Sequence, residues 1–274
     1  MRLVPLLFYA AAAAAYTGHF SWRDPRIGRL ATGLLGGGLV AHTFLIGMQT
    51  MQAGHAPLVG TTAAISAFVW LLGLSYLYVE LTSDERSMGV FVAVLLVTLG
   101  IIPALDNEVS RRLPVLQSPL FTIHVMAMLL AYASFALGGV LGLTYVLLFK
   151  EIKAKHLGFF YARLPPLGTL DVMNGRAVAI GWVFLTLGVT IGGFWATQVM
   201  AQAAPDPRIQ AMSVGDPKIL IAIVCWIVYS FALLARRTMG WSGRRAALLS
   251  AVGFAIVLLN FVPVGYFLTK SHNF

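Results

Sequence analysis

The chain has 274 residues, 59% of them hydrophobic and only 11% charged, with a formal net charge of +9. A water-facing domain carries about 25% charged residues, so most of this surface meets lipid and a soluble enzyme is excluded. The basic residues fall between apolar runs. They act there as an orientation signal and as contacts to the anionic headgroups of the lipid bilayer, not as a nucleic-acid surface.

A membrane span needs about 20 predominantly apolar residues. Runs that approach or exceed this occur at 3–20, 27–49, 59–80, 88–105, 119–149, 176–202, 217–235 and 246–268. The first, with Arg2 and a tract of alanines, has the make-up of a signal peptide. It continues to Phe20 without a clear cleavage site, so it is read as a retained span. The fifth is long enough to extend out of the bilayer. The segment after it, 150–175, mixes basic residues with Phe159, Phe160, Tyr161 and a Pro165-Pro166 break, which predicts an interfacial segment on the cytoplasmic leaflet. The expected fold is an all-α, polytopic membrane helix bundle of about eight transmembrane helices, with 1–274 as a single transmembrane domain.

Thirteen lysines and arginines follow the odd-numbered spans: Arg23, Arg26, Arg29, Arg86, Lys150, Lys153, Lys155, Arg163, Arg176, Arg236, Arg237, Arg244 and Arg245. Six lie elsewhere: Arg2, Arg111, Arg112, Arg208, Lys218 and Lys270. This bias predicts that the first set is cytoplasmic and that both termini are outside.

Several chemistries have no carrier in the sequence. Cys225 is the single cysteine, so neither a dithiol pair nor a C-x-x-C-H haem-attachment site exists. No Walker motif, G-x-S-x-G or H-E-x-x-H occurs. Acids inside the spans are almost absent: Asp171 and Asp216 sit at span edges and Glu80 ends the third. That argues against a proton-coupled transporter.

Six histidines remain. His42, His55, His124 and His272 fall at or toward the outer side, and His19 and His156 on the cytoplasmic side. Neutral imidazole is a common metal ligand, and haem iron accepts two of them from different helices. Interfacial or hydrogen-bonded packing is the competing role for each, for His42 in particular. Likewise Trp70, Trp182, Trp195, Trp226 and Trp241 read either as a wall for a flat cofactor or as an interfacial belt.

The contexts of these residues carry more than their number. Gly54-His55-Ala56-Pro57-Leu58 resembles the G-H-x-P-L segment of the CcsA/ResC family of cytochrome c assembly proteins. Pro114-Val115-Leu116-Gln117-Ser118, followed by His124-Val125 and Tyr132-Ala133, is similar to that family's P-x-L-Q-S…H-V…Y-A stretch. Leu170-Asp171, Arg176, Phe184 to Gly188, Trp195-Ala196, Asp216-Pro217-Lys218, Trp226, Gly240-Trp241 through Ala247, and Ser271-His272 continue the series in order. The resemblance is strongest over 50–274.

It implies haem handling in cytochrome c maturation, with haem b passed along the membrane and presented outside. By motif match, His124 and His272 are the axial ligands of the iron. Trp195 and Asp216 belong to the family's tryptophan-rich external segment. Arg208 or Lys218 is suited to pair with a propionate, His55 lies on the same side, and His42 is a candidate ligand deeper in the membrane. The implied partners are apocytochrome c and a ResB-type membrane protein. The chain would be a component of a cytochrome c synthetase in the bacterial inner (cytoplasmic) membrane, without independent catalysis.

Two departures are visible. The central tryptophans of the external segment are replaced by a linker with Pro205 and Pro207, and a further family histidine is Leu234 here. These are closer to a HemX-like branch, which implies an alternative: an accessory or regulatory protein of haem metabolism that binds no haem itself. A small-molecule permease is the third reading.

Overall fold

In a bilayer core no water satisfies backbone groups, so an apolar run must close its hydrogen bonds within a helix. The computed structural model describes residues 1–58, 60–105, 118–155, 158–202 and 217–259. Among them lie α1 (Leu3–Trp22), α2 (Pro25–Ala53), α3 (Thr61–Ser83), α4 (Gly89–Leu105), α5 (Pro119–Lys153), α6 (Phe159–Arg163), α7 (Leu167–Gln202), α8 (Pro217–Thr238) and α9 (Arg244–Leu259), with no strand. Six helices, α1, α2, α3, α5, α7 and α8, are long and apolar enough to cross a membrane, and α4 is a shorter apolar helix. The 16 described residues of α9 open the eighth expected run. The chain is therefore an all-α, multi-pass membrane helix bundle.

Local chemistry sets the breaks. Arg23 turns the chain left-handed at φ 55° after α1. Asp24 then caps α2, its carboxylate accepting from Arg26 N, with Pro25 in the first helical position. Gly54, at φ 72°, ends α2.

The sixth expected span begins earlier than the sequence suggested, at Leu167 instead of 176. Asp171 and Asn174 read as loop residues, but each is satisfied by tertiary contacts. Asn174 Nδ2 donates to Gly138 O at 2.7 Å, and Ser250 Oγ donates to Asn174 Oδ1 at 2.9 Å. The segment before it does hold a short helix, α6, with Phe159 and Tyr161 exposed, as suits an interfacial position.

Helix α5 is the hub. It packs on α7, α9 and α3, while α1 packs on α2 and α4. At 35 residues it spans about 50 Å, well beyond a hydrocarbon core of about 30 Å. Small residues let its neighbours approach closely. A Cβ at Gly142 would stand 2.6 Å from the carbonyl oxygen of Ala247 on α9, and one at Gly181 of α7 would stand 2.5 Å from Phe135.

The basic connections gather at one end. Arg86, after α3, lies over Gly28 at the start of α2. Phe20 of α1 meets Phe159 of α6 with ring centroids 5.9 Å apart. Arg176 of α7 donates to Ser83 Oγ at 2.8 Å. Arg244 sits 5.5 Å over the ring of Phe149. At the same end Asp171 forms a clasp. It accepts from Arg236 Nη1 at 3.0 Å, from Nη2 at 2.6 Å and from Gly243 N at 2.9 Å, which ties α7 to α8 and to the start of α9. These are the connections that the charge bias of the sequence assigns to the cytoplasm.

Candidate functional site

The opposite end holds the histidines of interest. Phe121 and His124 stand three residues apart near the start of α5. Gly188, Gly192 and Trp195 of α7 share one helical face, at spacings of four and three. The two faces meet. His124 Nδ1 lies 2.7 Å from Gly188 O. A carbonyl oxygen only accepts, so Nδ1 carries the proton and the lone pair resides on Nε2. A Cβ at Gly192 would come within 2.5 Å of His124 Nδ1 and Cε1, so the ring rests against the α7 backbone in a slot that only glycine leaves open. An Nδ1–H···O=C bond of this kind orients an imidazole for ligation through Nε2.

One turn away, Phe121 and Trp195 pack with ring centroids 5.1 Å apart at an interplanar angle of 52°. Trp195 is 8% exposed. Its indole N–H is buried with no hydrogen-bond partner among the described residues. A buried unpaired donor carries a desolvation penalty and marks a place where an acceptor is missing.

The other tryptophans do not form a common wall with it. Trp182 donates to Ser230 Oγ at 2.7 Å and Trp226 to Thr186 Oγ1 at 2.9 Å, and the two rings stack at 6.4 Å. Trp70 donates to Thr43 Oγ1 at 3.0 Å. Trp241 lies at the positive end under Arg245. Each of Trp70, Trp182 and Trp226 has found a hydroxyl on a neighbouring helix, which disperses the five rings.

His42 is placed differently from His124. It is buried, with Nδ1 3.0 Å from Tyr9 OH and Nε2 3.0 Å from Ser66 Oγ. Both nitrogens are engaged, as in a packing histidine, so iron ligation there requires exchanging a hydrogen bond for the metal. A cavity of about 20 Å³ adjoins it, lined in part by Arg2, Tyr9 and Pro103. His55 is half-buried in the connection after α2, with Nδ1 3.3 Å from Ala56 O. His19 binds Asp24 O at the positive end. His272, Asp216, Arg208 and His156 lie outside the described residues. Leu234, the position of the missing family histidine, is exposed on α8. No group of three metal-ligating side chains occurs among the described residues.

Sequence reasoning identified His124 and Trp195 but missed the cradle between them. Its signal was present: glycines at 188 and 192 on the α7 face that carries Trp195. It placed Glu80 at the end of a span without foreseeing its full burial, and it missed the clasp at Asp171, whose partners Arg236 and Gly243 are remote in sequence.

The family model described as "Cytochrome C assembly protein" matches residues 39–272. The chain is 26% identical over 253 residues to "Cytochrome c biogenesis protein CcsA" of Guillardia theta, covering 85% of this chain and 81% of that protein. It is 26% identical to the protein of the same name from Trieres chinensis, over 84% of this chain and 81% of that one. Against that from Prochlorococcus marinus (strain MIT 9303) the identity is 25%, over 83% and 78%.

Proposed function

Because this chain belongs to the cytochrome c assembly protein family, we propose that it serves cytochrome c biogenesis by carrying haem b and presenting it at the outer membrane face, with His124 as an axial ligand. The observation that carries this reading is the bond from His124 Nδ1 to Gly188 O, which fixes the ring and its tautomer at the start of α5.

The residues present fit such a cargo. His124 offers an oriented imidazole on a helix, with the buried rings of Phe121 and Trp195 packed one turn away. The Trp195 N–H, which has no partner among the described residues, is a donor suited to a propionate oxygen. His272, by its resemblance, supplies the second imidazole from the C-terminal segment, with Asp216 and His55 on the same side. His42, whose two nitrogens are held by Tyr9 and Ser66, is a packing residue in this reading. Bis-imidazole ligation is reversible, so the chain holds and releases its cargo without a bond change of its own. Attachment to the cysteines of apocytochrome c falls to the assembled complex, with a ResB-type membrane protein as partner. The membrane is the bacterial cytoplasmic membrane, with the positive end inside.

The test is the absorption spectrum of detergent-purified protein, oxidised and after dithionite, for wild type, His124→Ala and His272→Ala. Expected is a Soret band in wild type that weakens in both variants. A wild type that stays colourless after haem is supplied overturns the carrier reading and favours a HemX-like accessory role.

A further inference from the structure

Each acid among the described residues is engaged elsewhere than at the start of α9. Asp24 accepts from Arg26 N, Glu80 from Tyr16, Asp84 from Arg86, Glu85 from Ser87 N, Glu151 from Tyr161 N and Asp171 from Arg236. Arg244 and Arg245, the two cations that open α9, are exposed, and neither forms an ion pair among the described residues. The chain brings them no anion.

The loop that carries them is firmly held. The N–H groups of Met239 and Trp241 both donate to Ala235 O, at 3.0 and 3.1 Å, and Gly240 turns left-handed at φ 64° after α8. Gly243, also at φ 64°, accepts from Ala247 N at 2.9 Å and donates to Asp171 Oδ1. A Cβ at Gly243 would stand 2.6 Å from the Tyr145 hydroxyl, so the loop rests on α5 and α7.

This loop and the first turns of α9 form a groove of about 510 Å³, lined by Met239, Trp241, Ser242, Arg244, Arg245 and Leu248. That is the size of a small-ligand site. Arg245 lies 5.3 Å over the Trp241 ring, and Arg244 lies 5.5 Å over the ring of Phe149 on α5. A guanidinium resting on a ring keeps N–H donors for a second partner, and its planar fork matches phosphate oxygens. Leu248, one turn along α9, and Met239 are exposed apolar side chains in the same groove. The groove therefore has a cationic part and an apolar part. It also stands at a membrane face, because the span in α8 ends at Thr238.

We propose that this groove binds one anionic phospholipid, with its phosphate on Arg244 and Arg245 and its acyl end along Leu248 and Met239. The apolar lining favours a lipid over free phosphate. The lining holds no acid, so the ammonium of a zwitterionic headgroup would find no partner there. A diffuse basic collar attracts headgroups to all its cations alike, whereas this groove retains a single lipid at two of them. The site is independent of the haem reading, because it shares no residue with the His124 cradle.

The experiment is native mass spectrometry of the purified, delipidated full chain, titrated with phosphatidylglycerol, phosphatidylcholine or sodium phosphate. Wild type is expected to retain one phosphatidylglycerol in preference to phosphatidylcholine. Arg244→Gln/Arg245→Gln is expected to weaken that binding roughly 30-fold, as for two basic residues at an anionic surface. Arg26→Gln/Arg29→Gln removes the same charge from the start of α2 and is expected to leave it unchanged. Ser242→Trp fills the groove but keeps both arginines, and is expected to lose the lipid as well. Thermal melts check that each variant is folded, and should the α9 pair not fold, Ser242→Trp against the α2 pair gives the same test. Equal weakening in the two arginine pairs, equal retention of the two lipids, or full retention in Ser242→Trp overturns the proposal. Displacement of the lipid by millimolar phosphate also overturns it, in favour of a free-anion site.

Discussion

Replacing Gly192 by alanine tests the His124 cradle directly. The added methyl would stand 2.5 Å from His124 Nδ1 and Cε1. Carbon contacts settle at about 3.5 Å, so the ring must retreat by about 1 Å. That carries Nδ1 from 2.7 Å to beyond hydrogen-bonding reach of Gly188 O. Overpacking costs about 1–3 kcal/mol and the lost bond about 1 kcal/mol. Replacing a helical glycine by alanine returns about 1 kcal/mol, so the net effect is a destabilisation of about 1–3 kcal/mol. Gly193→Ala is the matched control, since a Cβ there meets nothing within 4 Å, and it keeps the propensity gain alone. Thermal melts compare the two variants without haem. Titration with haem, followed at the Soret band, then gives Kd, expected to be about 10–100-fold weaker for Gly192→Ala, as for loss of a group that orients a ligand. Equal melting temperatures and equal Kd values for the two variants would refute the reasoning.

Trp195→Phe removes the indole N–H, which has no partner among the described residues, while keeping an aromatic ring against Phe121. The haem-free protein is expected to melt no lower than wild type, because a buried orphan donor costs about 1–3 kcal/mol, while haem binding weakens. A lower melting temperature together with unchanged haem affinity counts against the assignment. Asp171→Asn breaks the two-armed contact with Arg236 in a partly exposed pair and is expected to cost about 1–3 kcal/mol in denaturation experiments. Arg236→Met added to that variant should recover part of the loss, and strictly additive effects would show that the clasp is not a coupled unit. Ser66→Ala leaves His42 Nε2 without its partner, with an expected loss of about 1 kcal/mol in melts and no change in the haem spectrum. A spectral change would place His42 on the iron. For orientation, Ser242→Cys in a Cys225→Ala background should react with an impermeant thiol reagent from the cytoplasmic face only. Labelling from outside would invert the topology.

Hydrophobic run length and charge placement are local properties, and they determined most of the architecture. Each apolar run is helical over its described residues, and the basic connections converge on one end, because lipid leaves the backbone no other partner. Motif order was equally legible, and it pointed to the family. What the sequence left open depends on which helices touch. His42 and His124 are both histidines on apolar helices, yet His42 spends both nitrogens on Tyr9 and Ser66, whereas His124 lies in a glycine slot that orients Nε2. Asp171 reads as a loop acid until Arg236 and Gly243, more than 60 positions away, fold onto it and allow α7 to begin at Leu167. Glu80 reads as the end of a span until Tyr16 and Thr32 enclose it. Whether a polar side chain in a membrane protein is a ligand, a clasp or a packing group is settled by the partner that reaches it, and that partner comes from tertiary contact rather than from neighbours along the chain.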